Sequence, residues 1–126
     1  DAARAAKDYE SADALRAGQI IAVFPEGTTS DGTGVLPFHA NLLQSAISCH
    51  APIQAVALRF SESDGTLSKS AAYIGDDTLV CSVWRMLRAN PITATLDFMP
   101  LISSEGQERR VLAAQLQQMI GARLRS

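Results

Sequence analysis

Gln19-Ile20-Ile21-Ala22-Val23-Phe24-Pro25-Glu26-Gly27-Thr28-Thr29-Ser30-Asp31-Gly32-Thr33-Gly34 is the stretch from which the fold is read. Its first part, Ile20 to Phe24, is apolar and of strand length. Pro25 then opens a turn-rich loop, Pro25 to Val35, carrying one carboxylate, Glu26, and several small hydroxyl-bearing residues. A hydrophobic strand that exits into such a loop is where α/β proteins place ligand sites.

The pattern on either side is helical. Ala5, Tyr9, Ala12 and Leu15 recur at helical spacing and Gly18 stops them, which predicts a helix from about residue 3 to about residue 17. Pro37 sits where a helix can start, and Phe38, Leu42, Leu43, Ala46 and Ile47 form one face after it, until Pro52 breaks the pattern. Ile53 to Phe60 reads as a buried strand. Ser61 to Ser70 reads as an exposed loop, Ala71 to Ile74 as a short strand and Gly75-Asp76-Asp77 as its end. Asp76 or Asp77 is placed to cap a helix whose face carries Leu79, Val80, Val83, Trp84 and Leu87, with Asn90-Pro91 ending it. Ile92 to Ile102 alternates as a strand does. Ser103 or Ser104 is then expected to cap a last helix lined by Leu112, Leu116, Met119, Ile120 and Leu124. Helix and strand alternate throughout, so the expected class is α/β, a mixed, largely parallel sheet flanked by helices.

Composition narrows the function. The chain has 126 residues, 47% of them hydrophobic, enough for one domain with a real core. A net charge of −2 with mixed signs argues against a nucleic-acid partner, which calls for a basic face. Cys49 and Cys81 lack paired spacing and read as reduced, buried thiols, with no metal site implied. No apolar run approaches the roughly 20 residues a membrane-crossing helix needs. The chain opens without Met inside a helical pattern. It therefore reads as a piece of a longer protein, incomplete at the N-terminus.

Three chemistries fit a loop with this glycine spacing. Gly27 and Gly32 match the outer spacing of a phosphate loop, but Thr33 and Gly34 stand where Lys and Ser/Thr are needed, so the phosphate-holding charge is absent. A serine-hydrolase elbow needs G-x-S-x-G, and Gly27-Thr28-Thr29-Ser30-Asp31-Gly32 is one residue too long before Ser30.

In the third reading the stretch resembles the FPEGT(R)S block of the glycerolipid acyltransferases. In that family a Gly and a hydrophobic-Pro-Phe element follow, here Gly34-Val35-Leu36-Pro37-Phe38, and then small-Pro-Ile-x-x-Val, here Ala51-Pro52-Ile53-Gln54-Ala55-Val56. The likeness covers most of residues 18–102. It implies a glycerol-3-phosphate acyltransferase-like sheet and makes residues 1–126 the C-terminal part of one acyltransferase domain. It also implies transfer of an acyl group from acyl-CoA or acyl-carrier protein to a lysolipid hydroxyl, as in converting 1-acylglycerol-3-phosphate to phosphatidate. Acyl donor and lysolipid would be the partners, with no cofactor, and the parent protein would work at the cytoplasmic face of a membrane.

The resemblance implies a substrate-binding set of Phe24, Pro25, Glu26, Gly27, Thr28, Thr29 and Ser30, with Glu26 accepting hydrogen bonds. Pro52, Ile53 and Val56 would wall the acyl-donor channel. The family's catalytic His-x-x-x-x-Asp block is absent, because Gln44 and Ala55 stand five residues after His39 and His50. The His–Asp base is therefore expected upstream. Two departures bear on the acceptor. The family often has Arg where Thr29 stands, and Lys-x-Gly where this chain has His39-Ala40-Asn41. Thr at that place looks like the subgroup that includes lyso-ornithine-lipid acyltransferases. A bland reading stands beside several of these residues. Glu26 is read alternatively as satisfying loop N–H groups, His39 as a helix-surface or core residue, and His50 as a helix-end cap. Trp84 with Arg85 and Arg88 reads as core helix with a solvated rim, or as a membrane-interface contact. Arg109, Arg110, Arg123 and Arg125 read as a solvated helix face.

Overall fold

The computed structural model of the chain describes residues 2–28, 34–63, 84, 88 and 91–126, with side chains from residue 7 onward. Helix α1 spans Ala2–Arg16. Gly18 ends it at φ +80. The Gly18 and Gln19 amides donate to Leu15 O and Ala14 O, both at 3.0 Å, the paired bonds of a Schellman cap that glycine accepts without strain. The inner side of α1 is small. Ala12 is buried, the Ser45 hydroxyl donates to Asp8 O at 3.2 Å and the Cys49 thiol to Ala12 O at 3.5 Å. These contacts seat α1 on α2, which spans Gln44–Ser48 and continues a 3-10 turn, Ala40–Leu43. Cys49 is thus a free thiol, as expected, but half-buried rather than buried. Cys81 lies outside the described residues.

Helix α2 ends on the same device with a different residue. His50 stands at φ +53, its amide donates to Ile47 O at 3.2 Å, and the Ala51 amide donates to Ala46 O at 2.9 Å. His50 is a helix-end cap, as the sequence predicts, but through its backbone.

Strand β1 (Ile53–Ser61) and strand β2 (Thr93–Ile102) match their predicted positions closely. They pair antiparallel, Ile53 opposite Ile102 and Ser61 opposite Thr93. A parallel ladder is therefore absent among the described residues. Strand–helix alternation in sequence carries no direction, and here β2 re-enters the sheet at the end where β1 leaves it. Between Gln54 and Val56 the partner strand runs from Leu101 to Phe98, one residue more. The extra residue falls around Pro100, which has no N–H to give a ladder. The Gln54 side chain donates to Met99 O at 2.9 Å and so satisfies a carbonyl at the irregularity.

Helix α3 (Arg109–Arg125) covers one face of this ribbon. Leu43, Ala55, Leu112, Ala113 and Leu116 form the core, with Phe38, Ile47, Ile53, Met99, Ile102 and Ile120 packed around it. At its far end Arg59 donates to the Arg123 and Leu124 carbonyls, capping the last turn of α3 with a cation as the helix dipole favours. Arg123 pairs with Asp97. That hydrogen bond, and then the attraction between the charges, raises the Arg123 guanidinium above its ordinary range. The other ribbon face carries Leu58, Phe60, Leu96, Phe98 and Leu101, all exposed.

Three expectations are corrected. Residues 19–24 form no strand among the described residues, and Ile20 is 99% exposed. An apolar run supplies side chains for a strand, while the ladder needs a partner. The helix expected from Pro37 starts only at Ala40, with His39 still extended at φ −75 and ψ 95 and the Leu36 and His39 amides bonded to the preceding turn. The last helix starts at Arg109 rather than after Ser103 or Ser104, with Glu108 at its N-cap and no side-chain bond there. Ser104 is fully buried, and its hydroxyl lies 2.6 Å from Ala51 O and 3.1 Å from Ala46 O. It ties the α2 end to the β2 exit and so cannot cap α3. The predicted strand Ala71 to Ile74 and the Asp76/Asp77 cap lie outside the described residues. So do Leu79, Val80, Val83 and Leu87 of the helical face expected there.

Candidate functional site: the Glu26 turn

The loop after Phe24 is held by three polar bonds rather than by apolar burial. Gly27 N donates to Phe24 O at 3.1 Å, closing a β-turn over Phe24-Pro25-Glu26-Gly27, with proline at the second position, where its fixed φ fits. Gly27 leaves the turn at φ +71. Pro25 O accepts from His39 N at 2.8 Å. A Glu26 carboxylate oxygen, Oε2, accepts from Leu36 N at 2.8 Å. The last two bonds fold the strip 35–39 back onto the turn.

Glu26 therefore performs the bland role predicted for it and keeps capacity beyond it. Oε2 satisfies a loop amide, and Oε1 has no hydrogen-bond partner among the described residues. Glu26 and Pro25 are half-buried, whereas Gly27 and Thr28 are exposed and Phe24 is 78% exposed. Thr29 and Ser30 lie outside the described residues. Phe24 through Thr28 are thus one continuous presentation at an open surface. Two shallow depressions flank α3. One of about 350 Å³ lies between Val35 and Gly121, and one of about 400 Å³ lies over Arg59, Asp97 and Arg123. Neither includes the turn.

The residues expected at the acyl-donor channel are not gathered at one point. Pro52 is exposed just before β1. Ile53 packs on the core. Val56 pairs with Phe98 on the opposite face of the ribbon, because side chains alternate along the regular strand β1.

His39 is the residue that sequence reasoning set aside. A Cβ built on Gly27 would come within 2.9 Å of both Cδ2 and Nε2 of the His39 ring, so the imidazole lies against the turn at a place only glycine leaves open. A weak signal was present in Phe38-His39: once the segment is extended, a Phe facing the core turns its neighbour outward. That the segment is extended follows only from the turn's claim on its amides.

Trp84 is helical and 57% exposed, contrary to the core reading of that face. The Arg88 guanidinium carbon lies 4.7 Å from the Trp84 ring centroid, a cation–π stack. Among the described residues no helix is long and apolar enough to cross a membrane.

Residues 1–59, from α1 through the turn into β1, match the sequence profile of the acyltransferase family. The chain is 35% identical over 109 residues to a lyso-ornithine lipid O-acyltransferase of Pseudomonas aeruginosa, and the match covers 86% of this chain and 42% of that protein. It is 36% identical over 109 residues to a 1-acyl-sn-glycerol-3-phosphate acyltransferase of Neisseria gonorrhoeae, with the same coverage of 86% and 42%. A lyso-ornithine lipid O-acyltransferase of Brucella abortus is 28% identical over 93% of this chain and 49% of its own length. The chain thus spans between two fifths and half of the curated relatives it matches. No solved structure matches it.

Proposed function

The chain belongs to the acyltransferase family, and on that premise we propose that the protein carrying it transfers a fatty acyl group to the hydroxyl of a lysolipid, as the likeness to both named kinds of acyltransferase supports. Acyl-CoA or acyl-carrier protein is the donor, used as a co-substrate with no further cofactor. The acceptor oxygen attacks the thioester carbonyl carbon, the C–S bond breaks and an ester forms. A His–Asp pair outside these residues takes the hydroxyl proton and passes it to the leaving thiolate. Residues 1–126 are in this reading the C-terminal part of one acyltransferase domain. Its β1–β2 pair is the antiparallel portion of a mixed, largely parallel sheet. The exposed Trp84–Arg88 stack is suited to the cytoplasmic face of a membrane, where aromatic rings and cations both find partners. No nucleic acid takes part.

The observation that carries the reading is the turn itself. Glu26 is fixed by Leu36 N at 2.8 Å through one carboxylate oxygen, which leaves the other to accept from an acceptor hydroxyl or amine. Thr28, Thr29 and Ser30 add neutral donors. The ordinary acceptor is 1-acylglycerol-3-phosphate, which yields phosphatidate. A second acceptor, lyso-ornithine lipid, is favoured by Thr29, which leaves out the arginine that would pair with a phosphate monoester, and by the Pseudomonas relative.

The test is thioester consumption by the full-length protein with a panel of lysolipids. Turnover is expected there and not with residues 1–126 alone, which lack the base. A full-length protein that binds lysolipid without turnover is a binding module instead. Thr29→Arg is expected to shift the kcat/KM ratio toward 1-acylglycerol-3-phosphate. An unchanged ratio in an enzyme that already prefers that substrate returns the acceptor to the ordinary one.

A further inference from the structure

We propose that the depression between Val35 and Gly121 is a subsite for a phosphate group, held by Arg125 together with the side-chain amides of Gln117 and Gln118. The proposal rests on the acyltransferase reading above and deepens it. Ala114, Gln117, Gln118, Gly121 and Arg125 line one side of a space of about 350 Å³, and their spacing puts them on a single face of α3. Val35 lines the other side. It stands one residue before Leu36, whose amide donates to Glu26, so the depression adjoins the strip tied to the candidate turn.

Gly121 is the position that packing does not explain. It is buried within α3, and glycine in a helix interior is less stable than alanine. A Cβ there would meet Arg125 Nη1 at 3.5 Å and Val35 Cγ2 at 3.9 Å, both ordinary contact distances. Neither crowding nor a positive φ therefore requires glycine. The missing methyl leaves room beneath a cation, because the Arg125 side chain leans back one turn over Gly121. Among the described residues the Arg125 guanidinium has no ion pair and no hydrogen bond. Its neighbours are engaged otherwise: Arg59 donates to the Arg123 and Leu124 carbonyls, and Arg123 pairs with Asp97. The Gln117 and Gln118 amides are also without partners among the described residues, and each offers two N–H donors. No carboxylate side chain lines the space. A free guanidinium beside neutral donors fits a tetrahedral oxyanion, which accepts at several oxygens at once. The depression over Arg59 and Arg123 lacks this character, because Asp97 lines it.

Two phosphate-bearing groups belong to the proposed reaction, the carrier of the thioester and the headgroup of 1-acylglycerol-3-phosphate. Steady-state kinetics of the full-length protein separate them. Arg125→Gln is expected to raise KM about tenfold, the scale of one bond between charged groups, with kcat unchanged. A rise confined to acyl-CoA assigns the site to the carrier, and a rise confined to 1-acylglycerol-3-phosphate assigns it to the headgroup; each supports the subsite. Gly121→Ala is expected to raise the same KM while its unfolding temperature holds or increases, as a better helix former does. Unchanged KM values for both substrates in Arg125→Gln overturn the proposal. So does a raised KM for a phosphate-free lysolipid, and so does a Gly121→Ala protein that is more stable with every KM unchanged. A lower unfolding temperature with reduced kcat in Arg125→Gln overturns it as well, since the side chain then serves the packing of α3. In all these cases wild-type turnover leaves the acyltransferase reading standing. Wild type acting on no lysolipid overturns both.

Discussion

The Glu26 turn and the α3 core are built by opposite means. In the core, Leu112 is fully buried among Leu43, Ala55, Ala113 and Leu116, and close packing makes every methylene count. In the turn, Phe24 and His39 stay exposed while backbone amides of Gly27, Leu36 and His39 tie the loop together. Polar bonds of this kind each add little net stability but fix direction closely. The core therefore sets how stable the molecule is, and the turn sets where a few polar atoms point.

The sharpest way to break that division is Leu112→Ala. It is expected to cost about 2–5 kcal/mol, the range for a large-to-small change in a packed core. Urea unfolding of the full-length protein measures this, and acyl transfer per folded molecule should hold. A loss of turnover without a loss of stability would mean that the core side reaches the chemistry.

Glu26→Gln tests the other half. The amide oxygen can still accept from Leu36 N, so stability is expected to move by less than about 1 kcal/mol. The charged acceptor is gone, and kcat/KM is expected to fall at least about tenfold, near 1.4 kcal/mol. Lower stability with unchanged turnover per folded molecule assigns Glu26 to the loop amide alone.

The smallest effect expected is at His50, which stands at φ +53 and touches neither region's main contacts. His50→Gly removes the left-handed strain and adds unfolded-state entropy, for a net gain of up to about 1 kcal/mol. His50→Val is expected to lose about as much or more, because a β-branched residue is poorly tolerated at positive φ. If thermal unfolding shows the reverse order, the cap at the end of α2 is not the one described.

Much of this was legible in the residues. Period-two and helical patterns located β1, β2 and α1 to within a residue or two, because local hydrophobic periodicity is set by chain geometry alone. Gly18 as a helix stop and the Pro25 turn were equally local facts, and so was the likeness carried by Phe24-Pro25-Glu26-Gly27. What the tertiary structure alone decided are the places where one group had rival partners. Ser104 was a plausible helix cap until its hydroxyl found Ala46 O and Ala51 O. Pro37 was a plausible helix start, but the chain stays extended through His39, where Pro25 O holds its amide. Strand direction and the pairing of His39 with Gly27 belong to the same class. Each depends on contacts between residues distant along the chain, and no local pattern records which of several compatible hydrogen bonds is made.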